Sequence, residues 1–105
     1  MKIIVDAMGG DNGTSTVVKG ALMAAEEFGV EICLVGKADE ILQVLRDEGY
    51  NEIPNGIEIS HASETIGMEE EAAAAARTKK DSSIIVGLKL LADGYGDAFV
   101  SAGNT

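Results

Sequence analysis

The chain is predicted to fold as a doubly wound α/β domain, a mainly parallel sheet with helices on both faces. Short β-branched runs alternate with amphipathic helical stretches, each such helical stretch ends at a glycine, and glycine-bearing loops follow the first and last runs. With 105 residues the chain is long enough for one domain with a real core.

The first run, Lys-Ile-Ile-Val-Asp at residues 2–6, is bounded by the glycine-rich stretch that follows it and reads as a strand. From Thr16 to Phe28 a helical face collects Val17, Val18, Ala21, Leu22, Ala25 and Phe28, and Gly29 is placed to stop it. Residues 30–35, Val-Glu-Ile-Cys-Leu-Val, form a second strand. A second amphipathic helix runs from Ala38 to Glu48 with Ile41, Leu42, Val44 and Leu45 on its apolar side, ending at Gly49. Pro54, Asn55 and Gly56 make a polar loop before a third strand at residues 57–60.

Glu69, Glu70 and Glu71 then precede five alanines and Arg77, Lys79 and Lys80, a charge order that suits both ends of a helix dipole and predicts a short helix. Asp81 or Ser82 is positioned to cap another helix, with Ile84, Ile85, Leu88, Leu91 and Ala92 as its apolar stripe and Gly94 as its exit. A fourth strand follows at residues 97–101. The closing Ser101-Ala102-Gly103-Asn104-Thr105 reads as a loop leaving a strand to open a helix, so a longer parent protein is expected.

Composition excludes several functions. Eighteen acidic against eight basic residues give a formal net charge of −10, which repels nucleic acid and anionic headgroups at long range. No run has the length needed to cross a bilayer, and the opening apolar run breaks at Asp6, too early for a signal peptide, so a cytoplasmic protein is expected. The single cysteine, Cys33, makes no internal disulfide and no metal cluster. Set mid-strand among Ile32, Leu34 and Val35, it reads as a packed core thiol. Met8, Met23 and Met68 read as packing residues too.

Chemistry is concentrated in the two glycine-bearing loops. In Val5-Asp6-Ala7-Met8-Gly9-Gly10-Asp11-Asn12-Gly13, paired glycines let backbone N–H groups approach an anion near a helix N-terminus. The stretch is neither a dinucleotide fingerprint nor a lysine-bearing P-loop, and on its own a tight βα turn is the simpler reading. Ser101-Ala102-Gly103-Asn104-Thr105 adds hydroxyls, an amide and a permissive glycine after the last strand. If the chain runs outward through three strands and returns, the fourth strand lies beside the first, and both loops flank the switch-point crevice where open α/β sheets bind ligands. Arg77, Lys79 and Lys80 read mainly as solvated charges at a helix end, and His61, the sole histidine, as a loop residue.

Taken in order, VDAMGGDNG, IGMEEEAAAAARTKKDSS and DAFVSAGNT resemble the phosphate acyltransferase (PlsX) family of bacterial phospholipid synthesis, across essentially the whole chain. Two positions depart from the family's pattern, Thr14 and Ala72, where prolines near helix starts are usual. The family is similar in fold to phosphotransacetylases and to isocitrate and isopropylmalate dehydrogenases, and its members are several times longer. The resemblance implies that residues 1–105 are the N-terminal part of a single α/β acyltransferase domain.

It also implies a reaction, in which inorganic phosphate attacks the acyl thioester of acyl carrier protein to give acyl phosphate, with no cofactor and no metal. Gly9, Gly10, Ser101, Gly103, Asn104 and Thr105 are then candidates for phosphate or oxyanion contacts, with Asp11 and Lys80 in orienting or electrostatic roles. A homodimer and peripheral membrane contact, made outside this stretch, follow from the resemblance alone. The alternatives are a phosphotransacetylase-type enzyme acting on acyl-coenzyme A and a non-catalytic phosphate-binding α/β module.

Overall fold

The computed structural model describes residues 1–8, 13–63 and 82–101. Seven elements follow in order: β1 (Lys2–Asp6), α1 (Gly13–Phe28), β2 (Glu31–Gly36), α2 (Ala38–Asp47), β3 (Ile57–His61), α3 (Ser83–Ala92) and β4 (Ala98–Val100). The helix expected from the acidic and alanine runs, together with Met68, lies outside the described residues.

The four strands form one parallel sheet in the order β3-β2-β1-β4. The chain thus steps outward through β1, β2 and β3 and then returns to the far side of β1. Register sets Ile4 between Cys33 of β2 and Phe99 of β4, and Leu34 beside Val5 and Ile59.

Strand alternation sorts these side chains into two cores. Ile32, Leu34 and Ile57 face α1 and α2, where Val18, Ala21, Ile41 and Leu45 complete a buried cluster. Ile4, Cys33, Val35 and Ala62 point the other way, beneath Val86, Leu90 and Leu91 of α3 and the Phe99 ring. Helices laid before the reversal therefore cover one face and the helix after it covers the other, as crossovers of a single hand require. Because β2 is buried on both sides, residues 32–35 are apolar without interruption.

Helix ends follow local chemistry. Gly29 sits at φ 66° and donates its N–H to the Ala25 carbonyl, a left-handed close that a side chain disfavours. Gly49 and Gly94 terminate α2 and α3 in the same way. Ser82 caps α3, its Oγ accepting the Ile85 N–H at 3.3 Å. Met8 packs against Gly36, where a Cβ would lie 2.7 Å from the methionine Cε, so the packing role expected of Met8 holds.

Three assignments of side chains to the core are corrected. Phe28 is 72% exposed, because sixteen helical residues span about 24 Å while a five-residue strand spans about 17 Å, so the last turn of α1 overhangs the sheet. Met23 is 67% exposed, well round the helix from Val18 and Ala21. In α3 the buried positions are Ser83, Ile84 and Gly87, which leaves Leu88 and Ala92 outward. That helix is apolar nearly all round, so hydrophobicity alone does not phase it; small residues set its contact with Phe99.

Candidate functional site

The reversal in strand order opens a crevice between the carboxyl ends of β1 and β4, the position at which open parallel sheets present ligand sites. Pairing runs up to Val5 and Val100, so the next residues on each strand, Asp6 and Ser101, stand side by side. The Ser101 hydroxyl donates to Asp6 Oδ2 at 3.0 Å. The other carboxylate oxygen, Oδ1, accepts the Met8 backbone N–H at 2.9 Å, and the Ala7 N–H continues the ladder to the Val35 carbonyl. One side chain therefore ties the loop leaving β1 to the loop leaving β4.

Asp6 is 1% exposed, and a carboxylate that deep in an α/β core is stable only because both oxygens are bonded. Ser101 is half-buried at the mouth of the crevice and carries a further interaction besides the one to Asp6. The two loops expected to share one site are thus brought together at their strand ends, and Ser101 is part of the junction.

Of the other candidate residues, Gly9, Gly10 and Asp11 in the first loop, Lys80, and Gly103, Asn104 and Thr105 in the second lie outside the described residues, as do Arg77 and Lys79. Asp6, which joins the two strand ends, is a position that sequence reasoning did not single out. It reads there as the end of an apolar strand; the available signal was a carboxylate at a place where a central parallel strand is buried on both faces.

His61 closes β3, two strands away from the crevice. Its Nδ1 accepts the Ala38 N–H at 3.1 Å, so the ring caps the start of α2, where Lys37 offers no side-chain cap. That bond places the ring proton on Nε2. Cys33 is buried in the core that α3 and Phe99 cover. Burial first, and then the Glu58 carboxylate, push its thiol up from the ordinary value, with Lys2 opposing, so the residue is an inert core thiol.

At the amino ends of the strands, Lys2 Nζ lies 3.2 Å from both Glu58 oxygens and 4.0 Å above the centre of the Tyr95 ring, while the Tyr95 hydroxyl donates to Glu58. A groove of about 560 Å³ opens beside this cluster, lined by Glu31, Glu58, Ile53, Ile57 and Tyr95. It is remote from the crevice, and two carboxylates on its wall disfavour an anion. No helix among the described residues is long and apolar enough to cross a membrane.

A family model described as fatty acid synthesis protein matches residues 1–105. The phosphate acyltransferase of Dictyoglomus turgidum is 50% identical over 105 residues, covering 100% of this chain and 31% of the relative. Those of Desulfitobacterium hafniense and Geobacter sulfurreducens are each 46% identical over 105 residues, covering 100% of this chain and 30% of each relative. The chain spans about 30% of the length of the curated relatives it matches. With the family model matching residues 1–105 of this chain and identity near one half over that length, the chain belongs to the fatty acid synthesis protein family.

Proposed function

We propose that this chain is the N-terminal part of an acyltransferase that moves an acyl group from the thioester of acyl carrier protein to inorganic phosphate. The observation that carries the reading is the junction of the two glycine-bearing loops at the β1/β4 crevice, joined by Asp6 and Ser101. The printed name of its relatives, phosphate acyltransferase, supplies the reaction class.

The chemistry needs no enzyme-bound intermediate. A phosphate oxygen attacks the thioester carbonyl, the C–O bond forms, the C–S bond breaks, and the proton carried by phosphate ends on the departing sulfur. Phosphate is already an anionic nucleophile and a thiol of pKa about 8.5 leaves readily, so positioning and oxyanion stabilisation are the enzyme's share. Backbone N–H groups at Gly9, Gly10 and Gly103 and the side chains of Ser101, Asn104 and Thr105 are assigned to phosphate and the developing oxyanion, with Asp11 and Lys80 orienting. In a chain of net charge −10, such local donors have to overcome the global field. The protein is assigned to the cytoplasm as a homodimer, with peripheral membrane contact made by residues outside this stretch.

The test is thiol release from acyl carrier protein thioester in the presence of phosphate, with the full-length enzyme. Phosphate-dependent release with the carrier thioester supports the reading. Release with acyl-coenzyme A alone assigns the other thioester, and phosphate binding without turnover assigns a binding module. Alanine at Ser101 or Asn104 is expected to lower turnover strongly; unchanged kinetics would remove that residue from the site.

A further inference from the structure

We propose that the groove at the amino ends of the strands, with the depression beside it, is a docking site for a polypeptide segment that alternates arginine or lysine with bulky apolar residues. The site lies at the opposite end of the sheet from the β1/β4 crevice and is independent of the phosphate chemistry proposed there.

The groove, of about 560 Å³, is lined by Ile53, Ile57 and Tyr95 together with the Glu31 and Glu58 carboxylates. Beside it a second depression of about 280 Å³ is lined by Leu22, Ala25 and Tyr50 together with Glu26. The two share Pro54, Asn55 and Ile57, so they are neighbours on one continuous surface. Each offers an aliphatic floor, a tyrosine and a carboxylate. Ile53 and Tyr95 are each 45% exposed and Tyr50 is 37% exposed, so large apolar side chains cluster here outside the core.

Charge points the same way. Lys2 stands in register with Glu31, yet its ammonium reaches past it to both Glu58 oxygens and the Tyr95 ring. That cluster shows the chemistry of the wall, a carboxylate and an aromatic face holding an alkylammonium. It also leaves Glu31 over. Among the described residues neither Glu31 nor Glu26 enters an ion pair, and both are exposed. In a chain of net charge −10 these carboxylates draw cations and turn away nucleic acid and anionic lipid. A second copy of the chain brings the same negative charge and is disfavoured as well.

A single small cation fills one depression only. Two adjacent depressions of like make-up fit two basic groups at a fixed separation, each with an apolar neighbour, and a polypeptide supplies that pattern. Its guanidinium groups pair with Glu31 and Glu26 and lie against Tyr95 and Tyr50, while its apolar residues cover Ile53 and Ile57.

The test uses the full-length parent and fluorescence anisotropy. The probe is a dye-labelled peptide that alternates arginine with leucine, and the control is its counterpart with glutamate for arginine. The arginine peptide is expected to bind at least about ten-fold more tightly than the glutamate peptide, and to weaken as salt rises. Glu31→Arg and Glu26→Arg are each expected to weaken it about ten-fold and Ile53→Ser about five-fold, all three at exposed positions that leave the core intact. Glu40→Arg, the same charge reversal in the first turn of α2 at the other end of the sheet, is expected to leave affinity within about two-fold.

Equal weakening by Glu40→Arg and Glu31→Arg would assign the binding to the general field of the chain and overturn the proposal. Failure of the arginine peptide to bind the parent would overturn it too. Dissociation of a parent oligomer in Glu31→Arg and Ile53→Ser, seen by analytical ultracentrifugation, would place a second copy on this face and exclude the basic partner.

Discussion

Two glycines inside helices, Gly20 in α1 and Gly87 in α3, should respond in opposite ways to the same change to alanine. Both lie in helix interiors, where alanine is favoured over glycine by about 0.8–1 kcal/mol. At Gly20 an added Cβ meets nothing within 4 Å, so Gly20→Ala is expected to stabilise by about 0.5–1 kcal/mol. At Gly87 the same atom runs into the Phe99 ring, 2.9 Å from Cδ1 and 3.1 Å from Cζ, well inside the ~3.5–4.0 Å of ordinary carbon contact. Overpacking of that kind costs about 1–3 kcal/mol, which leaves Gly87→Ala between neutral and about 2 kcal/mol destabilised.

The propensity gain cancels between the two variants, so their difference in urea unfolding, about 1–3 kcal/mol, reports the steric cost alone. There is a functional readout too. Phe99 and Ser101 are two apart on β4 and its exit, on the same face, so moving the ring draws Ser101 from Asp6, and the phosphate KM of the full-length enzyme should rise in Gly87→Ala only. Equal stabilisation by the two substitutions would show that α3 does not pack on Phe99 as described.

Glu58→Gln should flatten the pH dependence of stability at both ends. The Tyr95 hydroxyl first, and Lys2 second, hold the Glu58 carboxyl below its ordinary 4.5, so its contribution is present above that value and lost as pH falls through the lowered one. The bond to Glu58 raises Lys2 and Tyr95, whose contributions are lost as pH climbs through their raised values, above 10; melting temperature against pH, at low and high salt, measures both limbs. Ser82→Ala removes the cap of α3 and should cost about 1 kcal/mol in denaturant unfolding, with no cost expected only if Ile85 N–H finds another acceptor. Cys33, 1% exposed with its thiol pushed up, should resist a thiol reagent in the native protein and label fully in denaturant; rapid native labelling would contradict the packed core.

Fold class and element order were legible because period-2 and period-3.6 patterns are local, and so are glycine stops such as Gly29, Gly49 and Gly94. The run at residues 30–35 was legible as a strand, while its burial on both faces is shown by the packed structure. Family membership was legible too, since three motifs in register survive in the linear chain. Tertiary structure decided the rest. Whether Phe28 is buried depends on how far α1 overruns the sheet, and which side of α3 turns inward depends on where Ser83 and Gly87 let it approach Phe99. His61 caps a helix that begins 23 residues earlier in the chain. Asp6 and Ser101 are 95 positions apart, and only the strand order β3-β2-β1-β4 makes them neighbours. A carboxylate reads as solvated until the sheet is assembled on both sides of it. Burial and pairing are properties of the packed chain, so the hydrogen bond that joins the two loops became visible only in three dimensions.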